Sequence, residues 1–553
     1  MQETIYVVTL KDFDDLEEFY NDMETPGGNL YIPDRTVQCE LRRNISRNTH
    51  YILTDDEAEC LREDPRVLAV EKLPSELGIE STPFWTQVGA FEKSSSIDQS
   101  DKNWGLLRLI EGGPFSSWGT NGVFTQRNAT IKTTSSGKNV DVVIVDAHIN
   151  PSHPEFSVNE NGSGGTRVNQ IDWFQYSSAI GTSTTGTYNY SNISSNHGTH
   201  VAGTVAGNTQ GWARDANIYN IEFNYVGGNF SGSNWELVLF DYIRYWHRNK
   251  PINSETGRKN PTICNNSWGY SYNNIQLADV IQVMYRSTVT GLSGLSNIIK
   301  KDALEQNGVP VPFDTYLYRT PARYAALDAD VQDAINDGVI MIGSAGNSYW
   351  NCAAVGTQDY DNFIISGGSQ IFHSRGSSPT AAANMICVGS IAATTVEYKS
   401  NFSNYGSRID IWAPGSNIIS SMYDSTAASE FEITLANDPR DSNYKIGSIS
   451  GTSMSSPQVA GLLACFAEQY QNVKQIDAIQ YLNLKSKYNQ VSNTAGDAGD
   501  YTSIGDGITN TPNRYAYYFP ERPITGAASP KTNFGVRQTN GLMYPRYTVQ
   551  RTR

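Results

Sequence analysis

Residues 141–146 read DVVIVD, four apolar positions held between two aspartates. Runs of the same kind recur as NIYNIEF at 217–223, TICNNSW at 262–268, GVIMIGSAGN at 338–347 and MICVGSI at 385–391. Short, nearly continuous apolar runs suit strands of a parallel sheet covered on both faces, since neither side of such a strand meets water. Helical patterns alternate with them, so residues 104–490 are expected to form an α/β unit around a mostly parallel sheet. In such sheets the chemistry collects outside the carboxyl ends of the strands.

Residues 1–77 follow a different pattern. Ile5–Leu10 reads as a strand, Asp12–Met23 as an acidic helix, and Val37–Arg42 and Tyr51–Thr54 as two more strands. Thr54 with Glu57 three residues on is a capping box, opening a helix that stops at Pro65. Val67–Val70 closes the unit, giving the β-α-β-β-α-β order of a small ferredoxin-like α+β domain. This part carries 18 acidic and 8 basic side chains, whereas residues 501–553 carry 2 and 7. Residues 78–103 are polar, without periodicity, and read as an exposed linker open to cleavage. Residues 491–553, rich in Gly, Pro, Thr, Asn and Tyr, read as an extended tail that orders against an assembly partner.

The chain has 553 residues and a net charge of −15, and 39% of it is apolar, ample for a large core. The acidic balance speaks against a nucleic-acid binder. No apolar run reaches the 18 or so residues of a membrane span. Six cysteines are too few for a disulfide scaffold. Cys264, Cys387 and Cys465 lie in apolar runs and read as core residues, while Cys39 and Cys60 are open to pairing. The N-terminal MQETIYVVTLKDFDD lacks the basic flank and apolar stretch of a secretory signal.

Three segments carry chemistry. DVVIVD ends in Asp146, a carboxylate at the end of a buried strand, which is costly unless something specific hydrogen-bonds it. NHGTHVAGTVAG places His197 at a helix start and His200 one turn further in, with small residues that allow close packing. SGTSMSSPQVAGLLACFA places Ser453 at the opening of an apolar helix, where unpaired backbone N–H groups can stabilise an anion. Each alone has a plain structural reading: a turn aspartate, a packed histidine, a helix-capping serine. Together they stand in the chain order Asp, His, Ser.

With that order, the sequence resembles the subtilisin-like serine proteases. The resemblance rests on VVIVD followed by HPEF, then HGTHVAGTVAG, NNSWG, GVIMIGSAGN, SNFSNYG and GTSMSSP, and covers most of residues 104–490. It implies a subtilisin-like three-layer fold for that span. Residues 1–77 resemble the family's inhibitory propeptide, most clearly in HYILTDDEAECLREDPRVLAVE. The implied activity is peptide-bond hydrolysis through an acyl-enzyme. Ser453 is then the nucleophile, His197 the base that passes the proton to the leaving amine, and Asp146 the residue orienting the imidazole. Asn347 would join the Ser453 N–H in an oxyanion hole, and Ser267, Trp268 and Gly269 would offer an edge strand to the substrate backbone. The expected partners are a protein or peptide substrate and the chain's own propeptide, cut within the linker. No cofactor is implied as required. Calcium is common in the family, yet the turn Gly207–Gly211 is short and CVGSIAATT lacks an Asp that some members carry, so structural calcium is left unassigned.

Three departures from the family pattern stand out. After the aspartate the family usually has Ser or Thr and then Gly, where this chain has Ala147 and His148. Trp268 stands at a common Leu position, narrowing one subsite. The 80 positions from Ser267 to Asn347 imply an insertion over about 270–319 that covers the cleft or mediates assembly. A competing reading is a weakly active or inactive structural protein of a particle. A third, a metallohydrolase using His197, His200 and Asp146, leaves GTSMSSP unexplained. The place of action is expected to be extracellular or particle-associated.

Overall fold

The DVVIVD run is buried at every position because it has a helical layer on each side. Val142 and Ile144 pack into one cluster with Val201, Val205, Met454 and Val459. Val143 and Val145 pack into another with Phe240, Ile243, Leu327 and Val331. Alternate side chains of one strand thus feed two cores, which is why the run is continuously apolar.

The computed structural model describes residues 3–83 without 33–36 and 38, then 102–111, 125–126, 133 and 135–492, followed by 508 and 511–518. Within 135–492 it leaves out 183, 191–195, 224, 226–232, 394–396, 431–434 and 471. The N-terminal unit comprises β1 (Thr4–Leu10), α1 (Leu16–Glu24), β2 (Cys39–Arg42), β3 (Asn48–Leu53), α2 (Asp55–Arg62) and β4 (Val67–Lys72). Its sheet runs β2-β3-β1-β4, with β3 inserted antiparallel between β1 and β2. The first helix begins at Leu16 and not at Asp12, because the Asp12 carboxylate accepts from the Asp14 N–H at 3.1 Å and holds a turn there. The second opens on the Thr54–Glu57 capping box.

After β5 (Ile79–Pro83), the large unit contains β6 (Asp141–Asp146), β7 (Val168–Asn169), α3 (His197–Ala206), β8 (Asn217–Glu222), α4 (Leu239–Asn249), β9 (Thr262–Asn266) and β10 (Trp268–Tyr272). It continues with α5 (Ala325–Asp337), β11 (Val339–Ser344), β12 (Ile386–Ile391), β13 (Ile411–Pro414), α6 (Thr452–Gln469), β14 (Lys487–Tyr488) and β15 (Arg514–Tyr515). The main sheet has nine strands in the order β14-β15-β13-β12-β11-β9-β6-β8-β7. Every pairing is parallel except β14 with β15 at one edge. The helices α3 and α6 cover one face and α4 and α5 the other, a three-layer α/β fold. Among the described residues no helix is long and apolar enough to cross a membrane.

Three sequence expectations need correction. The linker over 78–103 begins with a strand: β5 pairs antiparallel with β10, from Ile79 opposite Tyr272 to Pro83 opposite Trp268. Short, polar and alternating weakly, β5 draws its order from its partner strand and not from its own pattern. The tail over 491–553 contains β15, whose Tyr515, with Ala516 and Tyr518, is buried in the main core. Tyr518 stacks on Trp212 with ring centroids 5.5 Å apart. Residues 84–101 and 519–553, where the cleavage site and most of the tail were expected, lie outside the described residues. The insertion over 270–319 begins inside β10 and is only half of a module. Strand Val280–Tyr285 pairs with Phe363–Ser366, so Leu277, Val280, Val283 and Leu304 share a separate core with Trp350, Ile364 and Ile371.

The N-terminal sheet turns its second face to α4 and α5. Arg43, with no exposed surface, pairs with Asp241 at 2.7 Å and Asp330 at 2.9 Å. Asn48 donates to the Ala326 carbonyl at 3.0 Å, and the Glu71 carboxylate accepts from the Ala325 and Ala326 N–H groups at the start of α5. All six cysteines are free thiols, Cys39 and Cys60 included.

Candidate active site

Asp146 ends β6 with its side chain buried, and two donors hold one of its oxygens. The Ala147 N–H donates to Oδ1 at 2.8 Å, and His197 Nδ1 lies 2.6 Å from the same atom. His197 is also buried and opens α3. The first turn of that helix is pressed onto the segment after Asp146. A Cβ at Gly198 would stand 2.1 Å from the Ala147 carbonyl oxygen, so only glycine fits. The close approach sets the imidazole against the carboxylate.

His200, one turn on, is placed differently. Its Nε2 meets the Ile418 carbonyl at 2.8 Å, and burial pushes its pKa down to about 3, so it is a neutral core residue. No group of three His, Cys, Asp or Glu among the described residues is placed to hold a metal ion. Beside the Gly207–Gly211 turn, the buried Glu155 carboxylate accepts from Thr209 N, Thr209 Oγ1 and Gln210 N and pairs with the Arg440 guanidinium. Arg440 also binds Asp438. The positive charge at this corner is an arginine, and these residues do not fit a calcium ion.

Ser453 sits in the first turn of α6, and its Oγ donates to the Ser267 carbonyl at 3.0 Å. Pro457, four residues on, has no N–H for the Ser453 carbonyl. That carbonyl instead accepts from Ser267 Oγ at 3.0 Å, so the helix is tied to the strand segment Asn266–Trp268 through the proline. Asn347 follows β11. Its Oδ1 accepts from Thr452 N at 2.9 Å and Thr452 Oγ1 at 2.7 Å, while Thr452 Oγ1 accepts from Gly346 N. Two donors on the oxygen fix the amide orientation. Nδ2 is left without a hydrogen-bond partner among the described residues.

Ser267, Trp268 and Gly269 line the same edge, which carries β5 as an antiparallel neighbour. Trp268 is buried and stacks on Phe223, rings 5.2 Å apart and 10° from parallel. The fold thus brings Asp146, His197, Ser453, Asn347 and Ser267–Gly269 to the carboxyl ends of β6, β9 and β11, with the starts of α3 and α6. Such a grouping can activate a hydroxyl and stabilise a developing oxyanion.

One group at this edge escaped the sequence reading. Glu222 ends β8 directly opposite Asp146 in the parallel register. Burial and the Asp146 charge push its carboxyl up to about 7. Its position at the end of NIYNIEF was the signal, masked because the run resembles a plain core strand.

The subtilase family model matches residues 137–507. The chain belongs to the subtilase family. It is 24% identical over 450 residues to alkaline serine exoprotease A of Vibrio alginolyticus, covering 80% of this chain and 56% of that protein. It is 25% identical over 417 residues to the extracellular serine proteinase of Thermus sp. (strain Rt41A), covering 75% and 65%. Among solved structures it is similar to fervidolysin from Fervidobacterium pennivorans, a keratinolytic enzyme related to subtilisin, at 14% identity and a TM-score of 0.48, covering 94% and 60%. The subtilase chain thus spans between half and two thirds of the length of these three proteins.

Proposed function

We propose that this subtilase is a serine endopeptidase that folds as its own restrained precursor. One observation carries the reading: a segment of the chain, β5, lies antiparallel along β10 and runs toward the serine of the site. The register pairs Pro83 with Trp268, next to Ser267, whose carbonyl holds the Ser453 hydroxyl. A cleft already pairing with extended backbone is suited to peptides.

In this reading His197 takes the Ser453 proton as Oγ attacks the carbonyl carbon. Asp146 keeps Nδ1 protonated and offsets the imidazolium charge. Asn347 Nδ2 and the Ser453 N–H receive the oxyanion. The proton on His197 then goes to the leaving amine as the C–N bond breaks, and water releases the acyl group by the same path. The N-terminal unit would act as an inhibitory propeptide, the first cut falling shortly after Pro83. Export from the cell is part of the proposal, supported by the relative named as an extracellular proteinase.

The test is labelling with a fluorophosphonate. Wild type should react at Ser453 and Ser453→Ala should not; absence of labelling in wild type would count against the proposal.

A further inference from the structure

We propose that Glu222 is a positioning residue that governs the proton traffic of the Asp146–His197 pair, resting on the peptidase reading above. Parallel pairing sets Glu222 of β8 squarely across from Asp146 of β6. Its backbone is pinned on both sides. Its N–H meets the Tyr188 hydroxyl oxygen at 2.7 Å, and its carbonyl accepts from Trp235 Nε1. The backbone of Glu222 is therefore held at the sheet edge beside Asp146.

Around it stand the other titratable groups. Asp146 comes from β6. His148, two residues beyond Asp146, brings Nδ1 to 3.6 Å from Glu222 Oε2 and is itself buried. Tyr188 and Tyr190 flank the His148 ring at 6.4 and 5.9 Å between centroids, and Tyr225 stacks on Tyr188. Burial raises the hydroxyl pKa values of Tyr188 and Tyr190, so both stay neutral. Among the described residues, His148 is the side chain at ion-pair distance from Glu222. The sheet edge therefore holds a second acid whose charge state changes near neutrality, with the His148 imidazole beside it.

The consequence is electrostatic. While Glu222 is neutral, the carboxylate facing the His197 imidazole is that of Asp146. Once Glu222 ionises, a second negative charge stands beside the pair, and the labelling rate reaches its plateau only at higher pH. Activity should rise with pH over a broad range, because two linked groups titrate together.

The experiment follows the rate of Ser453 labelling by a fluorophosphonate from pH 5 to 9, using each protein as purified. Glu222→Gln should move the midpoint of the rise down by about half to one pH unit and steepen it. Glu222→Asp, which keeps the charge, should restore the wild-type midpoint. His148→Asn leaves Glu222 in place but removes its neighbour; Glu222 then stays neutral to higher pH, and the midpoint moves the same way by less. Labelling of every variant with midpoints that coincide with wild type overturns this inference alone. No labelling of wild type overturns the peptidase reading, and this inference falls with it.

Discussion

At the scale of single residues, the site depends on side chains whose alternatives are already taken. Thr452 occupies the Asn347 oxygen twice, and under the peptidase proposal this directs Nδ2 at the incoming oxyanion. Asn347→Ala should lower kcat by about 100- to 1,000-fold with a smaller change in KM, measured on a chromogenic peptide. The Pro457 effect is subtler. Pro457→Ala restores an N–H that competes for the Ser453 carbonyl, now bonded to Ser267 Oγ. The tie to the strand is then weakened and activity should fall, while the restored helical hydrogen bond keeps the thermal unfolding midpoint at or above that of wild type. Asp146, His197 and Ser453 stand out in the sequence because each sits in an extended local motif. Glu222 and the Thr452 anchor do not, since their roles come from pairing across strands and between elements distant in the chain.

At the scale of elements, the N-terminal unit is held to α4 and α5 by buried charge. Arg43 is fully enclosed between Asp241 and Asp330, so Arg43→Ala leaves two carboxylates without their cation and should destabilise the docked unit by about 3–5 kcal/mol. In the uncut Ser453→Ala background, limited proteolysis should then remove residues 1–77 faster than with Arg43 in place. The interface also responds to pH in two opposite senses. Burial and Arg43 push His50 down to about 3. Unfolded His50 takes a proton near 6.5, so this group withdraws stability as pH falls from about 6.5 toward 3. Burial pushes Glu71 up to about 7. This carboxyl keeps a proton that the unfolded chain releases, so its contribution is present at low pH and lost as pH rises from about 4 to 7. His50→Gln removes the first effect alone. Its unfolding midpoint, relative to wild type, should therefore gain more at pH 5 than at pH 7.5, as read by circular dichroism. The helix and strand pattern of this unit was readable from capping and periodicity. The strand β5 was not, because its order is borrowed from β10.

At the scale of the whole molecule, the main sheet closes on a strand from far along the chain. β15 joins β13 to β14, and Tyr515, Ala516 and Tyr518 fill the main core. A chain ending at residue 507 should lose several kcal/mol of stability by calorimetry, since burying one large side chain is worth about 1.5–3 kcal/mol. The five apolar runs made the parallel sheet legible, but this closure was hidden in a Gly- and Asn-rich stretch with no periodicity. The second half of the inserted module, around Phe363–Ile371, was hidden for the same reason: its partner strands lie some 80 residues away. The central claim, that the chain is a peptidase restrained by its own N-terminal unit, is tested most directly by intact mass spectrometry of purified wild type and Ser453→Ala. The account predicts a wild-type product beginning shortly after Pro83 that gains one fluorophosphonate adduct, and a Ser453→Ala chain that stays at full length without an adduct. A full-length, unlabelled wild type, or a Ser453→Ala chain cut at the same place, would contradict it.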